Sequence, residues 1–323
     1  MTLPKKTRQS LYILLNLLWI TGLVYFVIWL DRPETRYQVF SYHYSTIYMQ
    51  KGTVDLVASG GSDILTMFNA YMLADLLKKR YHREFIIYDL SKNWAGTGIV
   101  YVMYRDLLKE RSVRTLLVQW RPQDTYLHEY FFIVASFRDI VESAMARANW
   151  PLYKKLQEIL AMIVDKSVWH LSRIILGQDW RVLNTVKTTA RTSDDRTETE
   201  RVVPDLVERA RLQWAKGWYS RPGRSYTLED PAEARSRYYY RKIVALAKQK
   251  NTKVIFLEYP FLFHPPISDE FKERLARTFA VEVFTLTRDQ LNEIYPAGFA
   301  DSAHANKFGQ EFYMKWMSQI LDY

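Results

Sequence analysis

Residues 53–63 have the sequence TVDLVASGGSD, and this stretch decides which fold the remainder of the chain completes. Its first six residues, 53–58, predict a short buried strand because apolar and β-branched side chains dominate them. A Gly-Gly turn follows, and residues 64–80 then carry apolar side chains at helical spacing. A strand that enters a helix through a tight turn predicts the first unit of a parallel α/β sheet.

The same alternation of strands and helices continues along the chain. Further strands are predicted at 85–90, 115–120, 253–258 and 281–286, and further helices at 100–109 and 238–250. Short connections between these elements predict a parallel sheet with helices on both faces. Residues 126–230 differ, because their first part is helical and rich in aromatic residues and a polar stretch follows it. We interpret them as a helical insertion between two halves of one α/β domain.

An apolar run near the N-terminus, residues 11–30, has the sequence LYILLNLLWITGLVYFVIWL without a charge. A helix of that length spans roughly 30 Å, the thickness of the hydrocarbon layer of a bilayer. Basic residues before the run favour a cytoplasmic N-terminus. A cleaved signal peptide is the alternative, but its apolar run is normally shorter and ends at a small-x-small cleavage site. We expect a cytoplasmic tail (1–10), a transmembrane helix (11–30), a linker (31–52) and a periplasmic or extracellular domain (53–323).

The composition narrows the class of protein. A hydrophobic fraction of 48% with 15% aromatic residues excludes a disordered chain. The chain has no cysteine, which excludes disulfides and thiolate catalysis. For an exported domain, the net charge of +10 favours anionic lipid or an acidic polymer over nucleic acid as a partner. A basic surface without a dedicated partner explains the charge equally well.

Three residues far apart in the sequence are the candidate catalytic group. Ser62 follows the first predicted strand, and Asp301 and His304 follow the last one. The carboxyl ends of parallel strands meet at one edge of a sheet, so these residues are expected to converge. An Asp that orients a His imidazole beside a serine hydroxyl is a nucleophilic triad. We predict Ser62 as the nucleophile, His304 as the general base and Asp301 as the orienting acid.

Structural roles compete with each of these assignments. Ser62 is also a suitable cap for the helix that follows it. Asp301 is equally able to cap the last helix through a nearby backbone amide. Ser59 is a weaker candidate nucleophile, because it stands at the strand end before the glycines.

The stretches VASGGS at 57–62 and DSAHAN at 301–306, with Gly309 beyond, resemble the SGNH hydrolase superfamily. That family has a Gly-Asp-Ser or Gly-Ser-Ser first block and a terminal Asp-x-x-His block, and the terminal pattern is the more specific half. The apolar N-terminal segment, the helical insertion and the final helix are similar to its membrane-anchored members. Those members include the alginate O-acetylation proteins and the teichoic-acid D-alanylation protein DltD.

The resemblance implies a flavodoxin-like αβα sandwich and acyl transfer through a seryl acyl-enzyme, with no metal or organic cofactor. It also implies an oxyanion hole formed by Ser62, Gly96 (or else Gly98) and Gln123. Gln123 stands where the third block of the family normally has an Asn.

The expected function is that of an extracytoplasmic O-acyltransferase, with acetyl as the expected group, that modifies a cell-envelope or exported polysaccharide. A multipass membrane acyltransferase is the implied partner, and no nucleic acid is involved. An esterase or deacetylase, or a catalytically inactive assembly subunit, is the alternative.

Overall fold

The computed structural model describes residues 5–32, 52–91, 96–121, 131, 134–147, 150–176, 208, 212, 234–259, 266–301 and 304–323. Five parallel strands in these ranges form one sheet in the order β2-β1-β3-β4-β5. They are β1 (Thr53–Ser59), β2 (Ile87–Asp89), β3 (Ser112–Gln119), β4 (Lys253–Leu257) and β5 (Glu282–Phe284). This order matches the flavodoxin-like arrangement, in which the direction of strand addition reverses between β1 and β3. The predicted α/β class with a parallel sheet is therefore confirmed.

The described ranges contain ten helices, and several of them flank the sheet on both sides. They are α1 (Lys5–Asp31), α2 (Ser62–Met67), α3 (Ala70–Tyr81), α4 (Thr97–Glu110), α5 (Phe137–Met145), α6 (Leu152–Leu176), α7 (Ala234–Gln249), α8 (Asp269–Phe279), α9 (Arg288–Ile294) and α10 (Lys307–Ile320). Successive strand residues point to opposite faces, so neighbours such as Leu56 and Val57 enter different cores. The core on one face includes residues of α4, α7 and α8, and the core on the other includes residues of α2, α3 and α10. The architecture is a three-layer αβα sandwich.

The helix predicted at 64–80 is wrong in one respect, because the structure divides it into α2 and α3. Phe68 and Asn69 between them are extended, with ψ angles of 126° and 98°. The Asn69 side chain accepts a hydrogen bond from the amide of Met72 and so caps α3. Apolar spacing continues across this break, which is why the periodicity predicted one helix.

Other boundaries also differ from the predictions. The strands at β2 and β5 are each three residues long, shorter than the predicted runs 85–90 and 281–286. Helices α8 and α9 lie in segments to which we assigned no element. Both begin with a side-chain cap, Ser268 for α8 and Thr287 for α9, and such caps stabilise short helices that periodicity alone does not reveal.

The predicted insertion and N-terminal segment are described in part. Helices α5 and α6 lie within 126–230, whereas residues 177–207 and 213–233 lie outside the described residues. Helix α1 covers the apolar run 11–30. In the part of the chain that the structure describes, no helix is both long and apolar enough to cross a membrane. The transmembrane segment and the localisation stay predictions.

Candidate active site

The predicted nucleophile turn lies at the point where the strand order reverses. Ser62 is the first residue of α2, directly after β1, and Gly61 is the residue that precedes the helix in an extended conformation. Ser59 pairs with Val118 of β3, so the turn leaves the sheet beside the end of that strand. Ligands of open α/β sheets bind in the crevice at this reversal. The side chain of Ser62 lies outside the described residues.

The two glycines of the turn are explained by side chains that arrive from the end of β3. A Cβ atom at Gly60 would lie 2.6 Å from Oε1 of Gln119, and one at Gly61 would lie 2.7 Å from Cζ of Arg121. Either contact is closer than real Cβ atoms make. Glycine at position 60 allows the close approach of Gln119, and a side chain at position 61 would displace the Arg121 guanidinium. Neither residue has a positive φ angle.

Asp63 is the centre of this contact. Its side chain is 1% exposed, and its carboxylate accepts hydrogen bonds from the Gln119 amide and from Nη2 of Arg121. The Oε1 atom of Gln119 in turn accepts the Gly61 amide at 2.8 Å. Both ends of the Gln119 carboxamide are thus engaged. Because a buried carboxylate is costly unless it is paired, the Arg121 guanidinium offsets the cost of placing Asp63 beneath the turn.

The segment that carries Arg121 is itself fixed by α7. The amide of Arg121 donates to the hydroxyl oxygen of Tyr240 at 2.8 Å, and that hydroxyl donates to the carbonyl of Gln119 at 2.9 Å. The ring of Trp120, between them, stacks on Tyr240 with centroids 4.7 Å apart. These contacts hold the exit of β3 against the α7 core, so Arg121 approaches the turn from a fixed backbone.

Asp301 and His304 form the predicted pair. The imidazole Nδ1 donates to Oδ2 of Asp301 at 2.6 Å, and the backbone amide of His304 donates to Oδ1 at 2.9 Å. A proton held on Nδ1 leaves Nε2 as the basic nitrogen of the ring. The pairing therefore gives His304 the tautomer that a general base needs. Asp301 does not cap the last helix, since Asn306 is the N-cap residue of α10.

The remaining residues of the terminal pattern hold the loop that carries this pair. The Asn306 side chain accepts the Gly309 amide at 3.0 Å and donates to the carbonyl of Ala297 at 2.6 Å. Gly309 packs directly on Gly298, where a Cβ atom would overlap the Gly298 carbonyl oxygen. An isolated antiparallel bridge between residues 299 and 305 closes the loop. Asn and Gly are thus needed in this pattern for capping and for close packing.

The β1 turn and the Asp–His loop lie within electrostatic reach of each other. The hydrogen bond that the imidazole donates to Asp301 raises the pKa of His304 above its ordinary value, and burial opposes this rise. The charge of Asp63 raises the same pKa further, whereas the charge of Arg121 lowers it. Burial raises the pKa of Tyr259, and the charges of Asp63 and Asp301 add to that rise. Tyr259, which stacks on Tyr313, is thus within electrostatic reach of both parts of the site.

The structure places the other predicted site residues as follows. Ser59 is buried and its hydroxyl donates to the carbonyl of Leu90 at 3.4 Å, so it contacts the chain that leaves β2. Gly96 is the extended residue before α4, on the loop that follows β2 at the same edge. Gly98 is a packing residue, because a Cβ atom there would lie 3.0 Å from the Phe131 ring. Gln123 lies outside the described residues.

The sequence analysis missed the roles of Asp63, Gln119 and Arg121. In an extended chain, side chains two residues apart point to the same face, so residues 119 and 121 share one face. This spacing is the sequence signal from which their joint contact with the turn could have been predicted. Residue 119 instead counted as part of an apolar strand. In the described ranges, no three His, Asp or Glu side chains are grouped as a metal site would require.

Comparison with known proteins adds no family to this description: no protein-family model and no curated protein matches the chain.

Proposed function

We propose that the protein is a membrane-anchored, extracytoplasmic O-acyltransferase of the SGNH type that modifies a cell-envelope or exported polysaccharide. The observation that carries this proposal is the bidentate contact between Asp301 and His304 at the sheet edge where the Ser62 turn begins. The electrostatic influence of Asp63 and Arg121 on His304 supports the same convergence. Acetyl is the group that we expect to be transferred.

In the proposed reaction, Ser62 Oγ attacks the acyl carbonyl while Nε2 of His304 takes the hydroxyl proton. The tetrahedral intermediate collapses, the leaving group takes that proton, and the acyl group stays on Ser62. An acceptor hydroxyl of the glycan then gives its proton to His304 and attacks the acyl-enzyme. As the second tetrahedral intermediate collapses to the glycan ester, His304 returns that proton to Ser62 Oγ. Asp301 stabilises the imidazolium in both steps and is not itself protonated.

Negative charge on the carbonyl oxygen needs donors, and Arg121 is a candidate for one of them. Its guanidinium lies against Gly61, its side chain is 30% exposed, and one edge is fixed by Asp63. The Gln119 side chain is buried and donates to Asp63, so Arg121 is the more accessible donor to a substrate. We therefore assign oxyanion stabilisation to the Ser62 amide, to Arg121 and to the Gly96 amide, and we retain Gln123 from the family resemblance.

The location and the partners follow from the resemblance and the sequence. An anchor at residues 11–30 would hold the domain beside the outer face of the membrane. A multipass acyltransferase is the partner that would deliver the acyl group from the cytoplasm. The excess of positive charge in the chain suits an anionic glycan acceptor.

The test is reaction with an activated acetyl ester and with a fluorophosphonate, using the full chain in detergent or nanodiscs. We expect the wild type and Ser59→Ala to react and Ser62→Ala and His304→Ala not to react. Ser59→Ala is the matched control, because it removes a hydroxyl only three residues away. Equal reaction of Ser62→Ala and the wild type would remove the nucleophile assignment, and an unreactive wild type would favour an inactive assembly subunit.

A further inference from the structure

Helix α6 buries two polar side chains on its inner face and exposes a row of aliphatic residues on its outer side. Its face against the domain contains Met162, Lys166 and His170, which are at most 2% exposed. Its outer side carries six large aliphatic residues that are 40–64% exposed, namely Leu152, Leu156, Leu160, Val164, Val168 and Leu171. We call these six residues the α6 stripe. Globular proteins seldom expose a continuous apolar surface of this length, and such surfaces mark contact with a membrane or with another protein.

The polar side chains on the inner face are used in contacts with other elements. Lys166 donates to the carbonyl of Ala135 at 2.5 Å, and its Nζ lies 3.9 Å from Oδ1 of Asp31. The same Asp31 oxygen accepts the amide of Phe137 at the start of α5. Helix α6 is therefore attached to the domain through these polar contacts and through Ile159, Met162 and Ile163, which pack on the core, whereas the α6 stripe faces outward.

These contacts also place α6 beside the end of α1. Asp31 is the last residue of α1, and the ring of Trp29 meets the ring of His170 edge-on with centroids 6.3 Å apart. Leu30 between them is fully buried. Earlier residues of α1, such as Leu17 and Trp19, expose large apolar side chains. The α6 stripe thus belongs to a helix that packs on the C-terminal end of another helix with an exposed apolar surface.

The exposed half of α6 is itself divided into two sides. At 100° per residue, the exposed residue Asp165 lies one step round the helix from Val164, on the side that adjoins the stripe. A helix that lies in the interface of a bilayer has this arrangement, with one side in the acyl boundary and the next in water. Polar residues directed inward and aliphatic residues directed outward are also typical of protein surfaces that contact lipid.

We propose that the α6 stripe lies in the interfacial layer of the bilayer that α1 enters, so that the domain contacts the membrane at two places. This inference rests on the anchor that is part of the proposed function, and it does not depend on the chemistry of the site. A second contact fixes the orientation of the domain relative to the membrane. It would hold one face of the molecule against the lipid and keep the active-site edge at a set height above it.

The test uses the absence of cysteine from the chain, which makes every introduced cysteine unique. The full chain is reconstituted in vesicles of phosphatidylcholine and phosphatidylglycerol, with a nitroxide label at Leu160→Cys, Val164→Cys, Asp165→Cys or Leu17→Cys. Collision of the label with oxygen, which concentrates in lipid, is compared with collision with a water-soluble nickel chelate. Asp165→Cys is the matched control, because it is exposed on the same helix next to the stripe.

We expect labels at residues 160 and 164 to favour oxygen and the label at 165 to favour the nickel chelate. Equal preference for the chelate at all three positions would overturn the proposal. Labels at 160 and 164 that are immobile and shielded from both reagents would also overturn it, because they would show a protein partner on the stripe. The label at residue 17 reports the anchor separately, so failure of the anchor and failure of the α6 contact give different patterns.

Discussion

Replacement of Arg121 by Met gives the sharpest prediction for the site, because it removes one charge of a pair whose other member is buried. Asp63 is 1% exposed and would keep only the Gln119 amide as a partner. Breaking a buried ion pair by removing one member costs about 3–5 kcal/mol. The Arg121 side chain is 30% exposed, so water already screens part of the interaction. We therefore expect Arg121→Met to lower the free energy of unfolding by about 2–3 kcal/mol.

The matched control is Arg138→Met. Arg138 is 85% exposed and pairs with Glu142 one helical turn away, and such surface pairs contribute little to stability because water screens them. Urea unfolding of the full chain in detergent, followed by tryptophan fluorescence, measures both variants. The double variant Asp63→Asn with Arg121→Met should recover part of the loss, because no unpaired charge remains buried. If Arg121→Met and Arg138→Met shift the urea midpoint equally, the account of Asp63 is refuted.

Further predictions concern residues in and around the candidate site. Asp301→Asn should lower both the pKa of His304 and the maximal acyl-transfer rate. Because Asp301 raises this pKa, the wild-type imidazole stays protonated to higher pH, and wild-type activity should rise with pH through the raised pKa. The midpoint of the pH–activity curve of the variant should lie at lower pH. The raised pKa of His304 also makes stability depend on pH. The stabilisation from the His304–Asp301 pair is present below the pKa of His304 in the unfolded chain and is lost as pH rises through its pKa in the folded protein, and the melting temperature as a function of pH measures this loss. Gln119→Ala leaves the turn amide and a buried carboxylate oxygen without their partner, and a loss of about 1–3 kcal/mol in urea unfolding is expected, whereas no loss would contradict this role. Gly309→Ala should destabilise the protein by about 1–3 kcal/mol through overlap with a backbone carbonyl, in contrast to the exposed Gly22→Ala, and equal melting temperatures for the two variants would contradict the close packing.

The sequence predicted the sheet well because each strand is a local apolar run. Strands β1, β3 and β4 differ by at most a few residues from 53–58, 115–120 and 253–258. The apolar pattern predicted the wrong helix boundaries where one polar side chain caps a new helix. At Asn69 a side-chain cap starts a new helix inside a continuous apolar periodicity, and only the contact with Met72 reveals it.

The candidate site was predicted in part for a similar reason. Asp301 and His304 are three residues apart, so their contact is a local property that the sequence shows directly. The contact between Asp63 and Arg121 joins residues 58 positions apart, and it depends on the pairing of β1 with β3. No single stretch of sequence contains that information. The Gly-Gly turn was recognised as a turn, but the side chains that require its glycines come from another strand.

The assignment of Ser62 as the nucleophile is tested by identification of the residue that a serine-reactive probe modifies. The full chain is treated with a fluorophosphonate, digested, and the adduct is located by tandem mass spectrometry. The account predicts one adduct, on Ser62, which forms faster as pH rises through the raised pKa of His304 and is absent in His304→Ala. An adduct on Ser59 or another residue, or labelling of Ser62 that is equally fast in His304→Ala, would contradict it.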